Sequence, residues 1–304
     1  MKLKFHTLDV FTNRKFAGNP LAVVLGADDL TTAQMQTITR EFNLSETTFV
    51  MKPKDPANTA MVRIFFPGGE MPFAGHPTLG TALLLAEING LDEVRLELPA
   101  GLTPAKITRG QGGFSGQFTA PIIPRTVPLT LPPVTLIAQA LNLPLDEIGF
   151  DGHGICAIEG GPCFFFVPVK SRETLTNSRV FEPQWSEMLS IMRASETKTH
   201  LLDAAYLYTR GGDGKDTSFR ARMFAPTSGI LEDPATGSAT ALLAAQLVKA
   251  EKLKDGAHTW QLEQGYEMGR PSDLRLEADV VGGALKAVRV GGSAVRVMSG
   301  EIEF

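Results

Sequence analysis

Apolar positions along the chain fall into short alternating or β-branched stretches and two long Ala/Leu-rich runs. Residues 3–10 and 21–25 read as strands, joined by a loop containing Gly18-Asn19-Pro20. Thr31 and Thr32 open a helix with Met35, Ile38 and Phe42 at helical spacing. It runs out into Asn43-Leu44-Ser45-Glu46, and Thr47-Thr48-Phe49-Val50 follows as a strand. After a loop over 53–58, a strand over 59–66 leads into the first long apolar run, a predicted helix over 77–89. Leu79 and the run from Ala82 to Ala86 leave that helix almost no polar face, so it should be enclosed by other elements. The second such helix is predicted over 238–250. Between them, residues 121–133 hold five prolines, which fix φ and remove ladder donors; this segment reads as a crossing between domains. A helix over 134–141, strands over 154–158 and 163–169, and a helix over 185–193 follow. The Gly-rich loop within 209–217 reads as a flexible turn, and the tail as two strands, 285–290 and 294–304, around Gly291-Gly292.

The segment around the first enclosed helix is written twice. Arg63, Phe65 and Pro67 match Arg222, Phe224 and Pro226 at an offset of 222 − 63 = 159 residues. After a three-residue insertion, Pro72, Gly75 and Thr78 match Pro234, Gly237 and Thr240 at an offset of 162. Residues 96–101 and 261–266 repeat the next strand and turn. The pattern predicts a duplicated α+β unit, each half a sheet curled around one helix. The expected division is 1–120 and 121–304, with the last strand free to return to the first half.

Each repeat carries a turn-to-helix junction rich in small residues. Backbone N–H groups at a helix start lack intrahelical partners, and with the helix dipole they favour an anion such as a substrate carboxylate. Two facing copies would give one cleft served by both ends. The first junction carries Gly75 and His76, the second Asp233, Gly237 and Ser238. An imidazole opposite a carboxylate suits substrate orientation or proton transfer. The plain alternative is that Asp233 and Ser238 are ordinary helix caps. Glu46, at a strand edge, reads alone as solvated surface. Its place between Leu44 and a core-like strand weakens that reading, since burial there would raise its pKa towards acid–base use.

Composition narrows the classes. The 304 residues fit one large domain or two ordinary ones, and 43% hydrophobic with 20% charged residues is soluble and globular. A net charge of −4 without a basic cluster argues against nucleic acid as a partner. No apolar run is long enough to span a bilayer, and the start lacks a signal-peptide core, so a cytoplasmic protein is expected. Cys156 and Cys163 share one apolar stretch and read as buried thiols, far from both junctions. No spacing of His, Cys or carboxylates suits a metal. Ser45, Ser238 and His76 make a hydrolase triad on paper, but no Gly-x-Ser-x-Gly elbow is present. His6, His153, His200 and His258 read as structural or exposed.

Six short blocks, in order, resemble the phenazine biosynthesis PhzF-like family, whose members share the fold of diaminopimelate epimerase. They are Asp9-Val10-Phe11, Gly18-Asn19-Pro20, Asn43 to Thr47, Phe73 to Thr78, Asp233 to Ala239, and Gln264-Gly265 with Gly269 to Ser272. The resemblance implies two pseudo-symmetric domains, each a rolled mixed β-sheet around a central helix, with the active site in the cleft and no cofactor. It also implies an isomerase that moves a proton on a small carboxylic acid, and a homodimer; the run Cys163 to Val167 either offers it an apolar surface or simply fills the second core. By match to the family's motifs, Glu46 is the proton carrier. His76, Asp233 and Ser45 orient the substrate, Asn19 joins the binding set, and Gly75, Gly237 and Ser238 hold its carboxylate through backbone N–H groups. The helix dipoles are expected to keep His76 neutral and Asp233 ionised, which leaves Glu46 as the poised group. A non-catalytic small-acid binding or interaction protein of the same fold is the alternative.

Overall fold

The two Ala/Leu-rich runs form the helices that the strands wrap. The computed structural model describes residues 2–110, 113–194 and 203–303, and His200 lies outside them. The first half holds β1 (Lys2–Val10), β2 (Asn19–Leu25), β3 (Glu46–Met51), β4 (Ala60–Phe66), β5 (Gly69–Met71), β6 (Glu93–Leu98), β7 (Gly101–Gly110) and β8 (Gly113–Thr119). The second holds β9 (Arg125–Val127), β10 (Cys156–Glu159), β11 (Cys163–Pro168), β12 (Ala205–Arg210), β13 (Phe219–Ala225), β14 (Ile230–Asp233), β15 (Gly256–Gln264) and β16 (Ser272–Val281). Strand β17 (Ala284–Glu303) belongs to both. Among the helices, α1 (Thr32–Phe42) and α2 (Gly75–Asn89) lie in the first half. The others are α3 (Val134–Leu141), α4 (Arg172–Asn177), α5 (Gln184–Ala194) and α6 (Gly237–Ala250).

The duplication is visible as one unit used twice. β4 pairs parallel with β6 across α2, and β13 pairs parallel with β15 across α6. A hairpin precedes each helix, β4–β5 and β13–β14. In the first half, pairing runs β8–β7–β6–β4–β3–β2–β1–β17 and returns from β17 to β8, which closes a ring around α2. The second half runs β9–β10–β11–β12–β13–β15–β16–β17 and packs on α6. The fold is a mixed α+β fold of rolled sheets.

Every α2 residue from Gly75 to Ala86 is buried, and α6 is enclosed likewise. Neither helix has a side-chain hydrogen bond at its N-cap, whereas α1 is capped by Thr31 and α4 by Ser171. A missing cap costs about 1 kcal/mol. Each fully buried leucine, such as Leu79, Leu83 or Leu84, returns about 1.5–3 kcal/mol. Packing therefore holds these helices despite their open ends. One continuous core joins the inner faces of both halves, and two smaller cores lie outside the sheets, under α1 and under α3 with α5.

Three expectations are corrected and one alternative is decided. The tail is one strand, because Gly291 and Gly292 are packing points: a Cβ at Gly292 would sit 2.5 Å from Phe11 and one at Gly291 3.0 Å from the Gly116 carbonyl. The proline segment is not wholly loop, since Arg125–Val127 fits between its prolines as a short strand on β10. The Gly-rich loop is tied down: the Glu263 carboxylate accepts from Asp213 N, Gly214 N and Thr217 Oγ1 at 2.7–2.8 Å. Finally, of the two readings of Cys163 to Val167 the core one holds: all five are buried, so the expected homodimer gains no surface from them.

The two halves meet where α2 and α6 begin. A Cβ built on Gly75 would lie 2.5 Å from both the Gly237 carbonyl carbon and the Ser238 nitrogen. Those are backbone atoms and cannot step aside, so Gly75→Ala should destabilise by about 1–3 kcal/mol or more. Gly90→Ala, at a left-handed φ of 69° with open space around it, should cost about 1 kcal/mol. Urea unfolding of both variants checks the ranking; equal losses would count against the contact.

Candidate active site

Beside this helix contact is a cavity of about 390 Å³. From the first half, Glu46 at the head of β3 and Phe73 to His76 at the start of α2 reach it. The second half supplies Asp233 at the end of β14 and Thr236 to Ser238 at the start of α6. The structure therefore brings Glu46, His76, Gly75, Asp233, Gly237 and Ser238 together. Ser45 does not line the cavity, so the paper triad is not assembled there. Asn19 is fully buried behind the wall.

From that position Asn19 ties the junctions to each other. Its Nδ2 lies 2.7 Å from Asp233 Oδ1, 2.9 Å from the Ala235 carbonyl and 3.1 Å from His76 Nδ1. Asp233 Oδ2 accepts from Thr236 Oγ1 at 2.6 Å. Gln264, also fully buried, donates to the Asp233 carbonyl (2.8 Å) and to Thr236 Oγ1 (2.9 Å) and accepts from Thr236 N (3.0 Å). Thr236 thus stands at the N-cap position but spends its hydroxyl on Asp233, and neither Asp233 nor Ser238 caps α6. The ordinary cap reading fails, and the first N–H groups of α6 carry no side-chain acceptor.

The other quoted blocks latch the halves. Arg270 donates to Asp9 Oδ1 (2.5 Å) and to the carbonyls of Ala17 (2.9 Å) and Gly18 (2.7 Å). Gly18 at φ 65° passes so close to β1 that a Cβ would be 2.4 Å from the Val10 carbonyl oxygen.

Burial sets the electrostatics. Glu46, His76 and Asp233 are 7%, 3% and 5% exposed. Desolvation, then the charge of Asp233, hold the Glu46 carboxyl well above the usual carboxylate range. Desolvation lowers His76 to about 3, the Pro20 carbonyl opposing only in part, so the imidazole is neutral. Asp233 is raised to about 7, again by burial, against the pull of its bonds from Thr236 and Asn19. The expectation that the helix field keeps Asp233 ionised is therefore corrected: desolvation outweighs the dipole. Glu46 Oε2 stands 3.2 Å from His76 Nε2 but off the hydrogen-bonding axis, and neither atom has a hydrogen-bond partner.

Sequence reasoning missed Cys163, which lines the same cavity at the start of β11, so one thiol is near the site after all. It also missed Asp203 and Ser228, which line it too, and the roles of Thr236 and Gln264. Among the described residues, no group of three His, Cys, Asp or Glu side chains is arranged to hold a metal ion, and no helix is long and apolar enough to cross a membrane. His153 is structural, bonded to the Tyr208 hydroxyl at 2.8 Å, and His258 meets the Lys254 carbonyl at 2.7 Å.

The sequence model described as phenazine biosynthesis-like protein matches residues 8–300. The chain belongs to the phenazine biosynthesis-like family. By class it is an isomerase, as its curated relatives are. An uncharacterized isomerase of Mesorhizobium japonicum is 40% identical over 297 residues, covering 97% of this chain and 96% of that protein. The trans-2,3-dihydro-3-hydroxyanthranilate isomerase of Pseudomonas aeruginosa is 32% identical over 300 residues, covering 98% of each. The PhzF-family protein of Bacillus anthracis has the same fold, with a TM-score of 0.86 at 23% identity over the full length of both chains. In this family member, the match spans both junctions and the Asp9–Arg270 latch.

Raised carboxyl pKa values have a consequence for stability. The unfolded chain releases these protons near pH 4, whereas the folded carboxyls keep theirs to higher pH. Folded protein thus binds more protons in this window, and its stability falls as pH rises from about 4 through about 7. Glu46→Gln removes one such group, so its stability relative to wild type should be higher at pH 8 than at pH 5. Urea unfolding at both pH values checks this; a difference independent of pH would contradict it.

Proposed function

We propose that the chain is a cofactor-independent isomerase that moves a proton between two carbons of a small carboxylic acid, with Glu46 as the single general acid and base. The observation that carries this reading is the placement of Glu46: a buried carboxyl with an unpartnered oxygen, in a cavity entered by two uncapped helix N-termini. The substrate carboxylate lies against the N–H groups of Gly75, Gly237 and Ser238, which supply positive potential without a mobile cation. Ionised Glu46 takes a proton from one carbon, and the resulting carboxylic acid returns it to another as the double bond shifts. No net proton is consumed. A raised pKa suits both steps, because the base is stronger when ionised and the acid persists long enough to deliver. His76, neutral and tethered through Asn19, orients the substrate, and Asp233 faces it from the second half. The isomerase activity of the relatives supports the reaction class.

Glu46→Gln keeps the shape and removes the carried proton. It should lower solvent deuterium incorporation into a turned-over small acid by about 10²–10⁴-fold, while binding stays within a few-fold. The assay is mass spectrometry of acids incubated with enzyme in deuterium oxide. Exchange at the wild-type rate, or His76→Ala as the only inactive variant, would move the role away from Glu46.

A further inference from the structure

One length difference between the two repeated units falls at the hairpin before the enclosed helix. Between the proline and the next glutamate the first has Gly68 and Gly69, whereas the second has the longer run from Thr227 to Leu231. The ion pair across each hairpin is kept, Arg63 with Glu70 (2.6 Å) and Arg222 with Glu232 (2.8 Å). The insertion therefore lengthens only the tip, where Pro226–Ser228 form a 3₁₀ turn. That turn sets Ser228 on the cavity wall, its hydroxyl donating to Asp203 Oδ2. Asp203, 9% exposed, immediately precedes Ala204 and β12 on the same wall. Along the β13–β14 hairpin, Asp233 faces Met223 and Ile230 faces Ala225. Two strand residues span about 7 Å, and Ser228 lies beyond them. The helix junction and the Asp203–Ser228 couple thus occupy opposite ends of one wall.

Charge along the cavity is one-sided. Among the described residues its lining carries Glu46, Glu70, Asp203 and Asp233 but no Lys or Arg. Arg63 offsets Glu70, while Asp203 has no ion pair among the described residues. Glu46 and His76, whose buried Oε2 and Nε2 have no hydrogen-bond partner, line the same space. Helix N-termini can hold one ligand carboxylate; a second anionic group towards Asp203 would meet repulsion.

We propose that Asp203, held by Ser228, is a specificity-determining residue that receives a cationic amino group at the end of the ligand remote from its carboxylate. This rests on the reading of the cavity as a carboxylate site. The ligand class is a small amino acid whose two charges stand about 7 Å or more apart, with an apolar middle against Phe73, Phe164 and Met223.

Isothermal titration of the full chain with 5-aminopentanoate, pentanoate and glutarate tests the assignment. A charge-assisted hydrogen bond predicts that 5-aminopentanoate binds about tenfold more tightly than pentanoate, with glutarate weakest. In Asp203→Asn that preference should fall to within about twofold, and in Ser228→Ala it should be weakened. Equal binding of the three acids, or a full preference retained in Asp203→Asn, overturns the proposal. Should Asp203→Asn fail to fold, an unchanged preference in Ser228→Ala overturns it instead. Glu46→Gln separates the two readings. If no acid binds it or wild type, the carboxylate site falls and this proposal with it; if all bind without amino preference, only the role of Asp203 falls.

Discussion

Two helix N-termini pressed together through glycine are the constraint on which the rest of this structure depends. Each end carries the equivalent of about half a positive charge, so like ends meet at Gly75 and Gly237 in a place with little water. No side chain fits at the contact, and no side-chain cap relieves it. Apolar packing along α2 and α6 overcomes the repulsion. Acidic groups gather where the potential is positive, and burial in turn keeps them partly protonated. One contact thus accounts for both the positive potential at the cavity wall and carboxyls that hold protons near neutral pH.

Precision at that contact comes from residues that never touch the cavity. Asn19 on β2 binds partners on both junctions, and Gln264 on β15 fixes the turn that carries Asp233 and Thr236. Gly265 follows at φ 75°, where any Cβ would be 2.5 Å from the Pro234 carbonyl oxygen. The Arg270 guanidinium then binds the loop that leads to Asn19. Residues of both halves lie along this path, so neither junction is positioned by its own half alone.

Much of this was legible in the sequence because duplication writes geometry in duplicate. The repeated strand, turn and enclosed helix gave the shared unit, and Leu44-Ser45-Glu46 before a core-like strand marked a buried carboxyl. Less was legible where the determinant is long-range. Asp233 looked like an ionised helix-start residue, since burial by the opposite half has no local signature. Cys163 looked remote because strand order, not sequence distance, brings β11 to the cavity. Gly291-Gly292 looked like a turn because glycine serves equally for tight packing, here against Phe11 and Gly116. Asp203 and Ser228 had one available signal, the three-residue insertion in the second repeat.

Strand β17 pairs with β16 before crossing to β8 and β1, and Lys2 faces Glu303. The ring around α2 is therefore closed by residues far along the chain from both β1 and β8. Until they arrive, β1 and β8 expose unpaired edges, and the apolar faces of the first half have no complete enclosure. Pairings of such sequence separation form late and slowly, and an incomplete sheet of this kind is exposed to aggregation. For this chain the two repeats are one cooperative folding problem, solved only when β17 finds β1 and β8.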